Sequence, residues 1–411
     1  MGNRVSIQNI RSGFPALRHR NFRLFWFGQC ISLIGSWMQN IGQSWLVLEL
    51  THSALKLSIV TMLQFIPMMV FSLYAGTLVD RFPKRNMLIV TQSSLAILAV
   101  VLATLTWFRA VEYWHVLILS LLLGFVNTFD IPTRQSFVIE LVGKEDLTNA
   151  IALNSSIFNL GRIVGPAVAG LLIGLVGIGV CFYLNAISFL AVIVNLWLIR
   201  VPPKVVKADG FGSLKNISRD IRAGLSYING KPIIKQPLIL LALISTFVMN
   251  YNILVPVFAQ QQLNQNATGY GLLMTSMGAG SFLGSLALVA KSRNGPRLRH
   301  LVGGALFTSI FLALLALERN FLISCITLFF IGFCTIIFTT LVNTMIQLNS
   351  SDEMRGRVMS VYMLVFGGVV PIGSFFTGQV TEYAGTPGCM IVSGIIGIFA
   401  SVWSISVMRK K

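Results

Sequence analysis

Acidic residues are scarce in this 411-residue chain: 13 Asp and Glu stand against 31 Lys and Arg, and charged residues make up only 11%. Ordinary soluble domains run at about 25% charged, so the composition excludes a water-soluble globule. Histidine is equally rare, and His19, His52, His115 and His300 lie too far apart to give metal-ligand spacing. No nucleophile has an evident base partner, which argues against an enzyme. The five cysteines (Cys30, Cys181, Cys325, Cys334, Cys389) form no CxxC pair and sit mostly in apolar stretches, so neither a disulfide frame nor a thiolate site is expected. A glycine-rich Walker loop is absent, which excludes ATP drive through such a loop. No cofactor is expected. The first 21 residues are polar and basic and the first apolar run is too long for an h-region, so no cleavable leader is expected.

Apolar residues fill the space that charge leaves. They make up 55% of the chain, and mean hydropathy is +0.78. A helix needs about 20 apolar residues to cross a bilayer. Such windows recur at Phe22–Leu48, Leu57–Leu78, Met87–Phe108, His115–Phe137, Thr148–Val176, Ile178–Ile199, Leu238–Phe258, Gly271–Ala290, Leu301–Leu317, Phe321–Leu348, Val358–Val380 and Pro387–Met408. The expected fold is therefore an all-α membrane protein of twelve spans. The net charge of +18 sits in alternate connections: with the N-terminus inside, 26 Lys and Arg fall on the cytoplasmic side and 3 outside. Positive charge is retained in the cytoplasm, so both termini are expected there. The excess is an orientation signal and an anionic-lipid contact, not a nucleic-acid footprint. A multi-pass protein of the cell membrane is expected, working as a monomer.

One span carries a charge. Arg162 falls near the middle of Thr148–Val176, where a lone guanidinium costs roughly 2.5–3.5 kcal/mol on insertion scales. It must face a partner or a wet cavity, and Asp130 on the preceding span is the obvious partner. The same span holds Gly161-xxx-Gly165-Pro166-xx-Ala169-Gly170, where small residues four apart admit a neighbouring backbone and the proline favours a bend. A buried charge, a close-packing face and a hinge in one helix point to a moving membrane protein.

Polar residues also form stripes. In the first span five positions, Gln29, Ser32, Ser36, Gln39/Asn40 and Gln43, share one face. Such a stripe either packs against another helix or lines a cavity, and five in register favour the cavity. Asn127, Asp130 and Arg134 share a face of the fourth span, bent by Pro132. Two readings of Asp130 stand: a static ion pair with Arg134 or Arg162, and a latch that breaks during a conformational cycle. A proton site ranks below the latch, because two nearby arginines favour the carboxylate. In the second half Ser245, Asn252 and Pro256 mark the seventh span, and Thr335, Thr339, Asn343 and Gln347 stripe the tenth. Asn252 and Asn343 are further cavity candidates.

The turn after the second span reads Gly76-Thr-Leu-Val-Asp80-Arg81-Phe-Pro83-Lys84-Arg85. Here the chain resembles the major facilitator superfamily, whose signature G-x-x-x-D-R-x-G-R-R/K matches at Gly76, Asp80, Arg81, Lys84 and Arg85 and departs at Pro83. The region 201–237 reads as a cytoplasmic linker with an amphipathic piece, Leu214–Ile228, at the membrane surface. It divides six spans (1–200) from six (238–411), and the halves look related: Pro166 and Pro371, both in glycine-rich helices, lie 205 residues apart. Repeated halves are a mark of transporters that bind at the interface between them.

Other stretches resemble one branch of that superfamily, the drug:proton antiporter-3 or transmembrane secretion effector group, which contains enterobactin-type siderophore exporters and macrolide efflux pumps. They are Leu17-Arg-His-Arg-Asn-Phe-Arg-Leu-Phe-Trp26, Trp45-Leu-Val-Leu, Asp130-Ile-Pro-Thr-Arg134, Gly269-Tyr-Gly271 and Arg355-Gly-Arg-Val-Met-Ser360. The resemblance implies two pseudo-symmetric six-helix bundles rocking about a central site, usually driven by protons, with a small amphipathic cargo such as a siderophore or macrolide leaving the cell. It implies an inner gate in which Asp80 sits at the start of the eleventh span, near Arg355 and Arg357, while Arg81, Lys84 and Arg85 pair near Asp130. The stretch around Gly165-Pro166 resembles an antiporter motif, with Ala169 where glycine is common, and so favours export. An importer of a small solute and a non-transporting receptor or scaffold are the rival readings.

Overall fold

The computed structural model describes residues 14–79, 81–200, 214–290 and 297–409. Among them all regular structure is helical. A short 3-10 turn, Pro15–Arg18, leads into α1 (Arg20–Thr51), α2 (Ala54–Val79), α3 (Lys84–Trp107), α4 (Tyr113–Val142), α5 (Leu147–Leu175) and α6 (Ile178–Leu198). The amphipathic piece of the linker forms α7 (Leu214–Asn229). Then follow α8 (Pro232–Phe247), α9 (Tyr251–Gln261), α10 (Ala267–Ala290), α11 (Leu298–Leu315), α12 (Phe321–Asn349), α13 (Asp352–Gly367) and α14 (Val370–Arg409).

Ten helical stretches among the described residues are long and apolar enough to cross a membrane. Outward faces are apolar too: Val90, Leu175, Leu317 and Phe399 are each at least 65% exposed, which suits contact with lipid and not with water. The polar-striped α1 is not among the ten, and Asp352–Val407 counts as one although the chain folds back within it. Gly385 marks the fold, at φ 71° and ψ 170°. Cys389 Sγ then lies 3.7 Å from the carbonyl of Thr377, twelve residues earlier, which a straight helix forbids.

Two expected spans are broken. The seventh is interrupted at Val248–Asn250, where the Asn250 amide donates to the freed carbonyl of Thr246 at 2.7 Å. The eleventh is divided between α13 and α14. Pro371 lacks an amide proton and its ring crowds the carbonyl four residues back, so helix geometry stops at Gly367 and restarts at Val370.

Antiparallel passes put the turns at 81–83, 143–146, 230–231 and 350–351 at one end, which we call the basic end from the charge count above. The turns at 52–53, 108–112, 176–177, 262–266 and 316–320, with Gly385, lie at the opposite end. There the chain halves press together. A Cβ on Gly170 would lie 3.1 Å from the Ala267 carbonyl and the Gly271 Cα, and one on Gly271 would lie 2.5 Å from the Pro166 carbonyl. That is the α5–α10 contact. In the α2–α14 contact a Cβ on Gly378 would lie 1.9 Å from Ser58 Oγ. Trp45 stacks on the fully buried Tyr270 beside them, ring centroids 6.0 Å apart. The two contacts are related by one interval. Gly378 follows Gly170 by 208 residues, and the turn at Gly385 follows that at Gly177 (φ 109°, ψ 170°) by the same 208. Pro371 therefore aligns with Ile163, not Pro166, which corrects the 205-residue offset inferred from proline alone.

At the basic end α7 docks on α13. Tyr227 Oη accepts from the Ser351 amide at 3.0 Å and from Lys231 Nζ at 2.7 Å, and Gly224 lies under the Arg357 backbone. The hydrogen bond from Lys231, then those from Ser351, pull the Tyr227 pKa down from 10 to about 8. The folded value is the lower one, so this contact contributes fully above about 10 and is lost as pH falls through about 8. An absorbance titration should show a tyrosinate step near pH 8 that Tyr227→Phe removes. In the α2–α14 contact, Gly378→Val should overpack and cost about 1–3 kcal/mol, read as a lower thermal midpoint in detergent; an unchanged midpoint would refute the close approach.

Candidate functional site

Towards the basic end α5 and α10 separate, and a cavity of about 1340 Å³ opens between them, walled also by α4, α11 and α12. Arg162 lines it from the middle of α5. Its Nε is buried without a hydrogen-bond partner, and a terminal nitrogen reaches Asn159 Oδ1 only at 3.4 Å. Phe158, Phe333 and Ile337 give the cavity an apolar wall, Asn154, Thr340 and Thr344 add neutral polar groups, and Arg297 and Arg299 stand exposed at the start of α11.

Asp130 is not the partner of Arg162. It is fully buried and accepts from Thr91 Oγ1 at 2.7 Å, Gln92 Nε2 at 2.8 Å and Arg134. Arg134 in turn donates to Gln29 Oε1. The turn spacing explains the choice: Asp130 and Arg134 are four apart on one helix and meet without a second helix having to move, whereas Arg162 faces the opposite way, into the cavity. The result is a charged knot tying α1, α3 and α4 together.

The polar stripe of α1 is largely used in packing. Gln29 is held by Arg134, Gln39 Oε1 accepts from Asn185 at 2.6 Å, and Gln43 Nε2 donates to Ser120 at 3.0 Å. Asn40, Gln43 and Asn252 border a small void of about 40 Å³ where α1, α2 and α9 converge. Ser36, Asn127 and Asn343 line neither space; Asn343 accepts from Gln347 at 2.5 Å. On α12 the large cavity is faced by Phe333, Thr340 and Thr344, and Thr335 points instead to Tyr251 at 3.2 Å. One residue is about 100° of helix, so the stripe chosen from sequence lies on the adjacent face. In sequence the rim arginines read only as orientation charges, because no local signal separates a basic turn from a cavity rim.

Asp80 lies outside the described residues. Among its neighbours, Lys84 is buried and donates to the Val79 carbonyl. Arg85 does not turn towards Asp130; it caps the C-terminus of α6 through the carbonyls of Leu196 (2.7 Å) and Trp197 (3.2 Å). Arg81 bonds its amide to Leu78. Arg355 pairs with Asp352 at 2.8 Å, and Arg357 reaches Met354 Sδ at 3.6 Å. Gly76 and Gly356 have open space where a Cβ would stand. In α5, Gly161 and Gly165 accommodate Trp37 of α1, while Gly170 and Gly174 meet α10; the helix continues through Pro166.

The family model of the transmembrane secretion effectors matches residues 11–410. The chain belongs to that family. Relatives of these transmembrane secretion effectors include the staphyloferrin A transporter of Staphylococcus aureus, 27% identical over 94% of this chain and 96% of the relative. Macrolide efflux protein A of Streptococcus pyogenes is 23% identical over 93% and 94%. The multidrug efflux pump Tap of Mycolicibacterium fortuitum is 24% identical over 86% and 89%. Among solved structures, a bacterial homologue of the human lysosomal transporter Spinster superposes with a TM-score of 0.75 at 13% identity, covering 95% of this chain and 97% of that one. The nucleoside transporter NupG gives 0.75 at 13%, covering 95% and 100%. The fold is that of the major facilitators, and the protein is a multi-pass transporter of the cell membrane, not an enzyme.

Asp130→Asn should strand the Arg134 charge. Breaking a buried pair costs about 3–5 kcal/mol, and the lower part of that range applies because the Arg134 side chain is 23% exposed. Thermal unfolding should show the double variant with Arg134→Gln recovering part of the loss; no recovery would argue against the pairing.

Proposed function

We propose that this transmembrane secretion effector is a secondary-active exporter of small amphipathic molecules working by alternating access. The observation that supports it best is the asymmetry of the α5–α10 seam: glycine-mediated backbone contact at one end, and a large cavity at the basic end. On this reading twelve spans form two pseudo-symmetric six-helix bundles, 1–200 and 238–411, joined by the 201–237 linker, with both termini and the open end in the cytoplasm. The protein works as a monomer. Likeness to macrolide efflux protein A and to the multidrug efflux pump Tap favours export, and with the staphyloferrin A transporter it favours a siderophore- or drug-like cargo.

The closing movement has surfaces ready for it. A Cβ on Gly76, in α2, or on Gly356, in α13, would meet nothing within 4 Å, whereas at the sealed end one on Gly170 or Gly271 would run into the backbone of the facing helix. Closure of the basic end brings these two helices together and places Asp80 at the N-terminus of α13, where the helix dipole favours an anion. Arg81, Lys84, Arg85, Arg355 and Arg357 then complete the inner gate, and opening of the far end parts Trp45 from Tyr270. Protons are the coupling ion in this scheme. Asp130, already satisfied by three donors, serves as a latch residue and not as the carrier.

Two measurements test the scheme. Asp80→Asn should lower efflux at least tenfold in a flux assay while leaving insertion and abundance unchanged; full activity would count against the gate. An uncoupler should abolish accumulation in everted vesicles, and accumulation that persists without a proton gradient would point to another energy source.

A further inference from the structure

We propose that the cavity between α5 and α10 is an anion-selective site whose cargo is an amphipathic carboxylate. The inference rests on the exporter reading above and adds the class of substrate to it. Its basis is an imbalance of charge. Arg162, Arg297 and Arg299 all line the cavity, and among the described residues lining it there is no Asp or Glu. Arg162 is the deep one: it leaves the middle of a spanning helix, and among the described residues its Nε is buried and unpartnered and its one side-chain hydrogen bond is a long one to a neutral amide. Asp130, on the preceding span, is fully buried and held by Thr91, Gln92 and Arg134.

A guanidinium keeps its charge in such a setting and presents a planar fork that matches the two oxygens of a carboxylate. The counter-charge that the protein does not supply is left to the ligand. Phe158 and Phe333 offer an apolar surface beside Arg162, which suits a hydrophobic body behind the anionic head. Arg297 and Arg299 are exposed, and positive charge there draws anions in and repels cations before they enter. Selection thus happens twice, at the rim by field and at Arg162 by pairing.

An anionic lipid headgroup has the same chemistry, so the test must separate it from a free cargo. Full-length protein in phosphatidylcholine nanodiscs is titrated with two probes that share one apolar body, pyrenebutyrate and pyrenebutyl-trimethylammonium. The carboxylate should bind at least tenfold more tightly. Arg162→Gln should weaken it about tenfold and leave the ammonium probe unaffected or improved, while Arg162→Lys should retain part of the affinity. Equal binding of both heads, or no change in Arg162→Gln, overturns the proposal. Should Arg162→Gln fail to fold, the unaltered protein still decides: pyrenebutyrate affinity should fall as salt screens the rim, and salt-insensitive binding overturns the site. Complete loss of pyrenebutyrate binding when phosphatidylglycerol is added to the discs assigns the site to lipid and overturns the cargo; retained binding upholds it. Everted vesicles keep the two readings apart. Transport restricted to cationic dyes refutes the anion site and spares the exporter, and anion binding without transport of any solute does the reverse.

Discussion

Among the described residues, the chain halves approach backbone to backbone from the end opposite the basic one, at Gly170, Gly271 and Gly378, as far as mid-span, where a Cβ on Gly278 would lie 2.6 Å from the Arg162 carbonyl. Between membrane helices, with no water to expel, packing depends on such close van der Waals contact. Placing it there has a mechanical consequence. Helices that touch at one end and diverge towards the other enclose a wedge, and the wedge here is the cavity of about 1340 Å³ that contains Arg162. The stacked pair Trp45 and Tyr270 closes the narrow end with aromatic area. The glycines therefore position the site as much as the residues that line it.

Charge is handled in two different ways within one span length. The Asp130–Arg134 pair is surrounded by donors and acceptors from three helices and ties α1, α3 and α4 together. Removing one partner of a buried ion pair leaves an uncompensated charge, so each member holds the other in place. Arg162 has no such neighbourhood. A paired charge serves architecture; an unpaired charge facing a cavity serves a ligand. On the proposed reading the first holds a bundle rigid while the second recognises what the bundles enclose.

On the proposed reading α7 is coupled to the closing of the basic end. Tyr227 and Gly224 fasten α7 to the start of α13, the helix whose Gly356 faces open space. If α13 shifts towards α2 when the basic end closes, α7 must travel with it. The chain interval of 208 residues that relates Gly170 to Gly378 also relates the turns at Gly177 and Gly385, so the two seams share one geometry.

The sequence by itself determined that this is a helical membrane protein, where most spans lie, and which family it resembles, because bilayer thickness, backbone satisfaction and retention of positive charge are rules about composition along the chain. It also marked Arg162 as a residue in need of a counterpart. Only the tertiary structure decided that Asp130 is not that counterpart, because Arg134 on the same helix holds it. Gln29, Gln39 and Gln43 formed a convincing stripe, yet a stripe states that a face is polar and not what it touches, and here it touches Arg134, Asn185 and Ser120. On α12 a rotation of one residue separated the chosen stripe from the cavity face. Arg297 and Arg299 were legible as orientation charges, but their place on the cavity wall depends on how far α10 and α11 stand from α5, and distances between helices are set by packing across the fold, which local pattern does not encode.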